Sequence, residues 1–445
     1  MVSEAPQGRT AVAAVYGDGW DGATRTTVRP LSKADAARRD AAGEPYSVVF
    51  LPAGRSVPTA ILHVARAEGY LEFQRLDAAG RRVLEADLRA LESGRLFLRQ
   101  LIEWRYEQET LPDRSDEAWR RTVDLYPDGR GGQAVHPRGT HGGSTHTAAE
   151  LPGALRWLPA PEFDCWEPLL TAPQFGFQDG LAVVEEEHSP ETPPSLAAAE
   201  PFGWCPPRPL DPPPIDELFT PGLRFTHPHR PGPLTVDPIR TVTEISLPDG
   251  ILAICDPSYL PHDTDGDPMG LQLPPGVYPV QETGAEYHDE MFGRQFTART
   301  RFAVRLLVSE RPTTTWTMAV PAGEDARLLR DGHCYGFDVD SATGCFVEAA
   351  ARTGLGQRLR HALTTGPETG AETGVQTGVR TFDGGYSRLT DDATGADLVA
   401  FALGGDGVYP VWVGRDSAGD ITAVVVAEIY EIGCLEPLDR RPEHR

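Results

Sequence analysis

The sequence predicts a mainly β protein of the α+β kind. Two antiparallel β-rich domains are expected, joined by a proline-rich connector, the second a sandwich or partly open barrel. Three observations carry this. Between about residues 46 and 106, short apolar segments recur, punctuated by Ala53-Gly54, Glu68-Gly69, Ala79-Gly80 and Ser93-Gly94. Repeated strands with glycine-containing turns at short spacing are the mark of an antiparallel meander. From Tyr126 to about Pro238 the composition shifts to proline, glycine and histidine. Short strands then return from Ile239 and end in residues 404–430, where a Gly-Gly-Asp-Gly turn, a strand, a polar turn and a second apolar strand follow one another. Gly405, Gly407 and Gly419 are read there as turn formers. Ile421–Ala427 is apolar on both faces, which places it inside a sheet.

The bulk composition bounds the function. A chain of 445 residues can bury more than one core. No run of 18 apolar residues exists, and Met1–Gln7 lacks the features of a signal peptide, so a cytoplasmic protein with no membrane partner is expected. A formal charge of -24 argues against nucleic acid as a partner. Lys33 is the only lysine and sits in a polar stretch, which excludes P-loop and Schiff-base chemistry. None of the six cysteines is spaced C-x-x-C, so they read as small buried hydrophobes.

Taken in order, residues 1–40 are small and polar and are expected to be poorly ordered. Residues 41–135 form the β-meander domain, with strands at Tyr46–Leu51, Pro58–Arg66, Tyr70–Asp77, Arg82–Arg89 and Arg95–Tyr106. Arg82–Leu91 also suits an amphipathic helix, and Ser115–Val123 reads as a short helix capped by Ser115 or Asp116. Asp128–Thr147 reads as loop. Residues 136–238 form the Gly/Pro-rich connector, with a small packed segment at 150–172 built on Leu151, Trp157, Phe163, Trp166 and Leu170. The stretch 190–214 has extended polyproline character. Residues 239–432 form the second β domain and 433–445 a tail. In the second domain strands are expected at Arg240–Leu247, Gly250–Cys255, Gly276–Gln281, Gln295–Leu307, Thr315–Pro321, Gly332–Asp338, Leu398–Phe401 and in the closing hairpin. Cys345–Ala351 reads as its one short helix. A Thr-Gly repeat at 365–380 has no apolar face to bury and reads as a surface insertion.

No stretch is a catalytic signature. Asp263, Asp265 and Asp267 have the spacing of a calcium loop, but Pro268 and Pro274 occupy the positions where such a loop needs glycine and glutamate, so a solvated turn and no metal is the expectation. His136, His141, His146, His227 and His229 lie in Gly/Pro-rich loops that fix no ligand geometry. For nucleophilic catalysis the candidates are Cys345 or Cys255 with His333 and the carboxylates Asp256, Asp338 and Asp340, because a thiolate needs an imidazole beside it and a third group to orient the ring. The same residues suit a strand-turn corner. Asp406 caps the glycine-rich turn, which leads into a strand rather than a helix and so lacks a phosphate cradle. No cofactor is expected.

Four stretches occur in a recognisable order: Ile254–Tyr259, Leu273–Val280, Gly336–Phe346 and Gly405–Trp412. Together they resemble the bacterial domain-of-unknown-function 4241 family over about residues 235–432. The resemblance implies a domain and no activity. The repeat at 365–380 and Gly404 depart from the family pattern. The function expected is a non-enzymatic protein-binding module, immunity-like or regulatory, with another protein as partner. The alternative is a hydrolase-type enzyme with a site near Asp256, Asp338, Cys345 and Asp406.

Overall fold

The computed structural model describes residues 9–140, 142–149, 151–177, 181–184, 204–230, 232–260, 269–291, 294–365, 380–382, 385–428 and 432–438. The chain divides into two compact units, residues 1–207 and 208–445. Both are mainly β, with antiparallel sheets and, among the described residues, no closed barrel. Asp263, Asp265, Asp267, residues 366–379 of the Thr-Gly repeat and residues 185–203 of the connector lie outside the described residues.

The first unit is built on one large sheet. Strands Tyr46–Pro52, Ala60–Ala65, Tyr70–Leu76, Arg82–Glu92 and Arg95–Arg105 pair in sequence order as an antiparallel meander. The alternation that predicts them lies in residue type, while both faces of Tyr70–Leu76 are largely buried. Leu71 and Phe73 point to an apolar face, whereas Glu72 and Gln74 point to the other. Arg82–Glu92 is therefore a strand and not a helix. Residues 153–177 cover the apolar face, with Phe175 stacked on Phe73 at 4.6 Å and Phe163 on Tyr16 at 5.4 Å.

Three expectations change here. Residues 1–40 are read as poorly ordered, but the chain carries the strand Thr10–Gly17, a small hairpin and the helix Lys33–Ala42 there. The strand pairs antiparallel with Tyr46–Pro52 and parallel with Leu181–Val184. Ser32 caps the helix by accepting from the Asp35 amide, and Gly43 ends it at φ 76°. Ser115–Val123 is a turn and then the strand Trp119–Leu125, because Val123 and Leu125 are buried with a period of two. Asp128–Thr147 contains the strands Gly131–Thr140 and Thr145–Ala148, which extend the sheet by backbone pairing without an apolar pattern.

The second unit is a sandwich of two six-stranded antiparallel sheets. One sheet runs Arg240–Leu247, Gly276–Met291, Arg294–Leu307, Ile421–Ala427, Val411–Arg415, Thr315–Met318 in spatial order. The other runs Met269–Gln272, Ile251–Cys255, Thr343–Glu348, Asp397–Ala402, Tyr386–Thr390, Arg380–Phe382. Between them Ile245, Val280, Leu306 and Val424 meet Leu252, Ile254, Phe346 and Phe401. Each sheet is also covered on its outer face. Ile215, Leu218, Phe219 and Phe225 pack against Ala285, Phe302 and Trp412 of the first sheet. The helix Arg352–Thr365 brings Leu355 and Leu359 onto Cys255, Cys345, Val347 and Leu398 of the second.

Burial on both faces explains why Cys345–Ala351, read as a helix, is the strand Thr343–Glu348 followed by a 3-10 turn. A central strand with apolar neighbours on both sides shows no alternation in its sequence. At the turn before Ile251, Gly250 has φ 73°, and a Cβ there would lie 2.2 Å from the Leu273 carbonyl oxygen, so only glycine fits. Of the three glycines read as turn formers with φ > 0, Gly419 has φ 86° and Gly407 φ 154°, whereas Gly405 has no positive φ.

Candidate functional site

The structure brings part of the predicted site together and gives it a structural task. Asp256 is fully buried at the end of Ile251–Cys255. One carboxylate oxygen accepts from the Asp340 and Ser341 amides at 2.9 and 2.8 Å. The other accepts from the Ser258 amide and the Ser341 hydroxyl, both at 2.7 Å. Four donors saturate the group, and Asp256 ties the turn after one strand to the turn before another. Asp338 is exposed on the short strand Phe337–Val339, which pairs with Gly407–Tyr409 directly after Asp406. Asp406 is exposed too. Tyr259 donates its hydroxyl to Asp340, and that bond pushes the phenol up to about 12.

The thiol and the imidazole play no joint part. Cys345 is fully buried under the helix layer, where burial and the neighbouring Cys255 raise its thiol well above the usual range. Its neighbour is the Cys255 sulfur at 3.7 Å, not an imidazole. His333 lies on an exposed turn, its amide bonded to the Arg330 carbonyl and its own carbonyl to Leu210. Among the described residues no group of His, Cys, Asp and Glu side chains could hold a metal ion.

The first unit holds a polar row that the sequence did not reveal. Ser47, His63, Glu72, Asp87, Gln100 and Asp124 face one another across six neighbouring strands. Ser47 and His63 share a hydrogen bond of 2.7 Å, and Trp204 stacks flat on the imidazole at 4.8 Å. Burial lowers His63 to about 4, so the ring is neutral at ordinary pH. The residue types are those of an acyl-transfer set, but their bonding differs. Ser47 has no exposed surface, and Glu72 is held by Trp204, Gln74 and Tyr70 rather than by His63. A cavity of about 330 Å³ adjoins Ser47, and there Asp18 already pairs with Arg29 at 2.5 Å and Arg39 at 2.6 Å. The row is a polar network, buried at Ser47 and His63 and half-buried from Glu72 to Asp124, whose members bond to one another or to flanking side chains.

A different feature of the second unit is a pair of strand edges without strand partners among the described residues. Gly276–Met291 and Arg294–Leu307 form a long hairpin, expected from the sequence only as Gly276–Gln281 and Gln295–Leu307. Arg240–Leu247 pairs with it as far as Glu282, and Ile421–Ala427 as far as Ala303. Beyond those points it continues as a two-stranded arm. Among the described residues, no strand pairs with the outer edges of 285–291 or 294–301. Ala285, Tyr287, Ala298 and Phe296 form one row and Glu286, His288, Thr297 and Arg299 the other, so the arm is amphipathic. Phe296 is 37% exposed.

The base of the arm is fixed by charge. Glu282, fully buried, accepts from Arg240 and Arg299 at 2.7 Å, Arg301 at 3.1 Å and the Tyr386 hydroxyl at 2.8 Å. Burial opposes ionisation, but Tyr386 and the three guanidinium groups outweigh it and hold the carboxyl below its usual range. A bulge places Arg301 and Arg299 on the Glu282 side. Thr283 faces Ala303 and Gly284 faces Arg301, which leaves Phe302 as the extra residue.

With this geometry in hand, residues 245–426 match the family model described as Protein of unknown function (DUF4241). That stretch is similar to the DUF4241 family. It runs from the strand containing Ile245 to the one containing Val426 and so takes in both sheets of the sandwich, the Asp256 corner and the arm. The first unit lies outside the DUF4241 match. Comparisons with curated proteins and with solved structures found no match. Among the described residues, no helix is long and apolar enough to cross a membrane.

Proposed function

We propose that the protein is a non-catalytic, cytoplasmic partner-binding module, regulatory or immunity-like in role. It would receive an extended segment of another protein as an added strand on the arm. The observation that carries this is the outer edge of Arg294–Arg301, whose backbone groups have no ladder partner among the described residues. Exposed edges of this kind are templates for strand addition, in which backbone bonds give affinity and alternate side chains give specificity. The exposed Phe296 and half-buried Ala298 supply an apolar anchor in the same row as Tyr287. The Glu282 cluster holds the arm in place, so little ordering is needed on binding.

The test uses the full chain as bait in a lysate of its native host, beside a Phe296→Asp, Thr297→Lys variant that places charge along the edge. A protein retained by the wild type is identified, purified and titrated against both forms by calorimetry. The proposal expects roughly tenfold or greater weakening in the variant, with an unchanged melting temperature. Equal binding by both forms would remove the arm as the docking site. Retention of only a second copy of the same chain would replace a foreign partner with self-association.

A further inference from the structure

The Asp256 corner sits directly above two thiols that its hydrogen bonding does not use. Cys255 and Cys345 are register partners on adjacent antiparallel strands, with sulfurs 3.7 Å apart and both thiols free. Facing residues in an antiparallel pair have Cα atoms about 4.5–5.5 Å apart, inside the roughly 4.4–6.8 Å that a disulfide spans. No backbone movement on the scale of a strand is needed to join them. Cys345 is fully buried and Cys255, at the strand end, is 8% exposed as a residue, so Cys255 is the member of the pair nearer to solvent.

We propose that Cys255 and Cys345 are a two-electron redox site, a dithiol that a peroxide converts to a cross-strand disulfide. The Cys255 sulfur attacks one peroxide oxygen, the O–O bond breaks, and an S–OH group forms as the first water leaves. The Cys345 sulfur then attacks the Cys255 sulfur, the S–O bond breaks, and the hydroxide departs as a second water with the remaining thiol proton. The two sulfurs together lose two electrons, the peroxide gains two, and two waters result. A small dithiol reverses the step by exchange.

The bond acts on the corner because of where it falls. Cys255 immediately precedes Asp256, and Cys345 lies two residues after the Thr343 that follows the Asp340–Ala342 turn. Asp256 holds the amides of Ser258, Asp340 and Ser341. Joining the two strands covalently next to that network suppresses the local opening that exposes these amides. Oxidation thereby stiffens the surface that carries Tyr259, Asp338 and Asp340.

The experiment uses the full chain with Cys165, Cys205, Cys334 and Cys434 changed to serine, after its melting temperature has been matched to the parent. Reduced protein is treated with hydrogen peroxide, quenched, denatured and alkylated, beside a glutathione control that must oxidise. The expected product is lighter by two hydrogens, alkylated at neither cysteine, restored by dithiothreitol and absent in Cys255→Ser. Amide exchange at Ser258, Asp340 and Ser341 is expected to slow by roughly tenfold in the oxidised form. Two alkylated cysteines, or Cys255 driven to sulfinic acid with Cys345 unmodified, overturn the redox site. A disulfide that leaves exchange at the three amides unchanged overturns its coupling to the corner.

Discussion

Replacing Asp256 by asparagine separates an anchor from a reactive group. The carboxylate accepts four hydrogen bonds, three from backbone amides and one from Ser341, with no exposed surface. Asparagine can keep only one oxygen in that role. Its best placement leaves the oxygen on the Asp340 and Ser341 amides and turns the NH2 group toward Ser341 Oγ, which can rotate to accept. The Ser258 amide then faces a donor and is orphaned. Losing the charge on the surviving bonds and orphaning one buried donor together cost about 3 kcal/mol. Alanine orphans all three amides, and about 5 kcal/mol is expected. For a unit of this size, 3 kcal/mol corresponds to a fall of about 6–12 °C in melting temperature. Urea unfolding of wild type and both variants, followed by tryptophan fluorescence, measures the difference. An Asp256→Asn protein within about 1 kcal/mol of wild type would refute this account of the corner and return Asp256 to the list of functional carboxylates.

Other expectations follow from the same geometry. His63 is lowered to about 4 by burial, so the unfolded chain binds a proton there between about pH 6.5 and 4 while the folded chain does not. Stability contributed by the neutral ring is therefore complete above about pH 6.5 and falls by up to about 3 kcal/mol as pH drops to 4; His63→Gln should flatten that segment of the urea-midpoint profile, and an unchanged slope would count against it. Glu282→Gln leaves three guanidinium groups facing a neutral amide and should cost about 2–4 kcal/mol, limited because Arg240 and Arg299 reach water; a neutral result in thermal unfolding would mean that the arginines repack freely. Gly94 and Gly250 have nearly the same φ, 72° and 73°, but only Gly250 faces backbone within 4 Å. Gly94→Ala should cost about 1 kcal/mol and Gly250→Ala clearly more, and equal melting temperatures would show that the Leu273 carbonyl gives way.

What was legible in the sequence tracks how each strand is solvated. Tyr70–Leu76 announces itself because one face is apolar and the other polar, with glycine turns at both ends. Thr343–Glu348 does not, since Phe346 and Glu348 point into the sandwich while Cys345 and Val347 point under the helix. Gly131–Thr140 is invisible for the opposite reason, being an outer strand held by backbone bonds with little apolar burial. For the arm the signal was present. Ala285 and Tyr287 alternate with Glu286 and His288, as Phe296 and Ala298 do with Thr297 and Arg299, but Gly284 interrupts the pattern and ended the strand too early. Asp256 was named among the candidate carboxylates; that its four acceptor sites are all taken depends on Asp340 and Ser341, more than eighty residues away, and no local pattern reports that.

The bulge at Phe302 sets a reading frame for the hairpin. On the near side of it Val304 and Leu306 point into the sandwich; on the far side the alternation is inverted, and Arg301 and Arg299 occupy that face instead. One residue thus decides whether arginines or Phe302 and Thr300 meet the Glu282 carboxylate. Any chain that shares this arm is free to vary in composition along it, yet losing the bulge between Thr283 and Ala303 would transpose its polar and apolar rows and strand a buried negative charge beside Phe302 and Thr300. Length, rather than identity, is the conserved quantity to look for there.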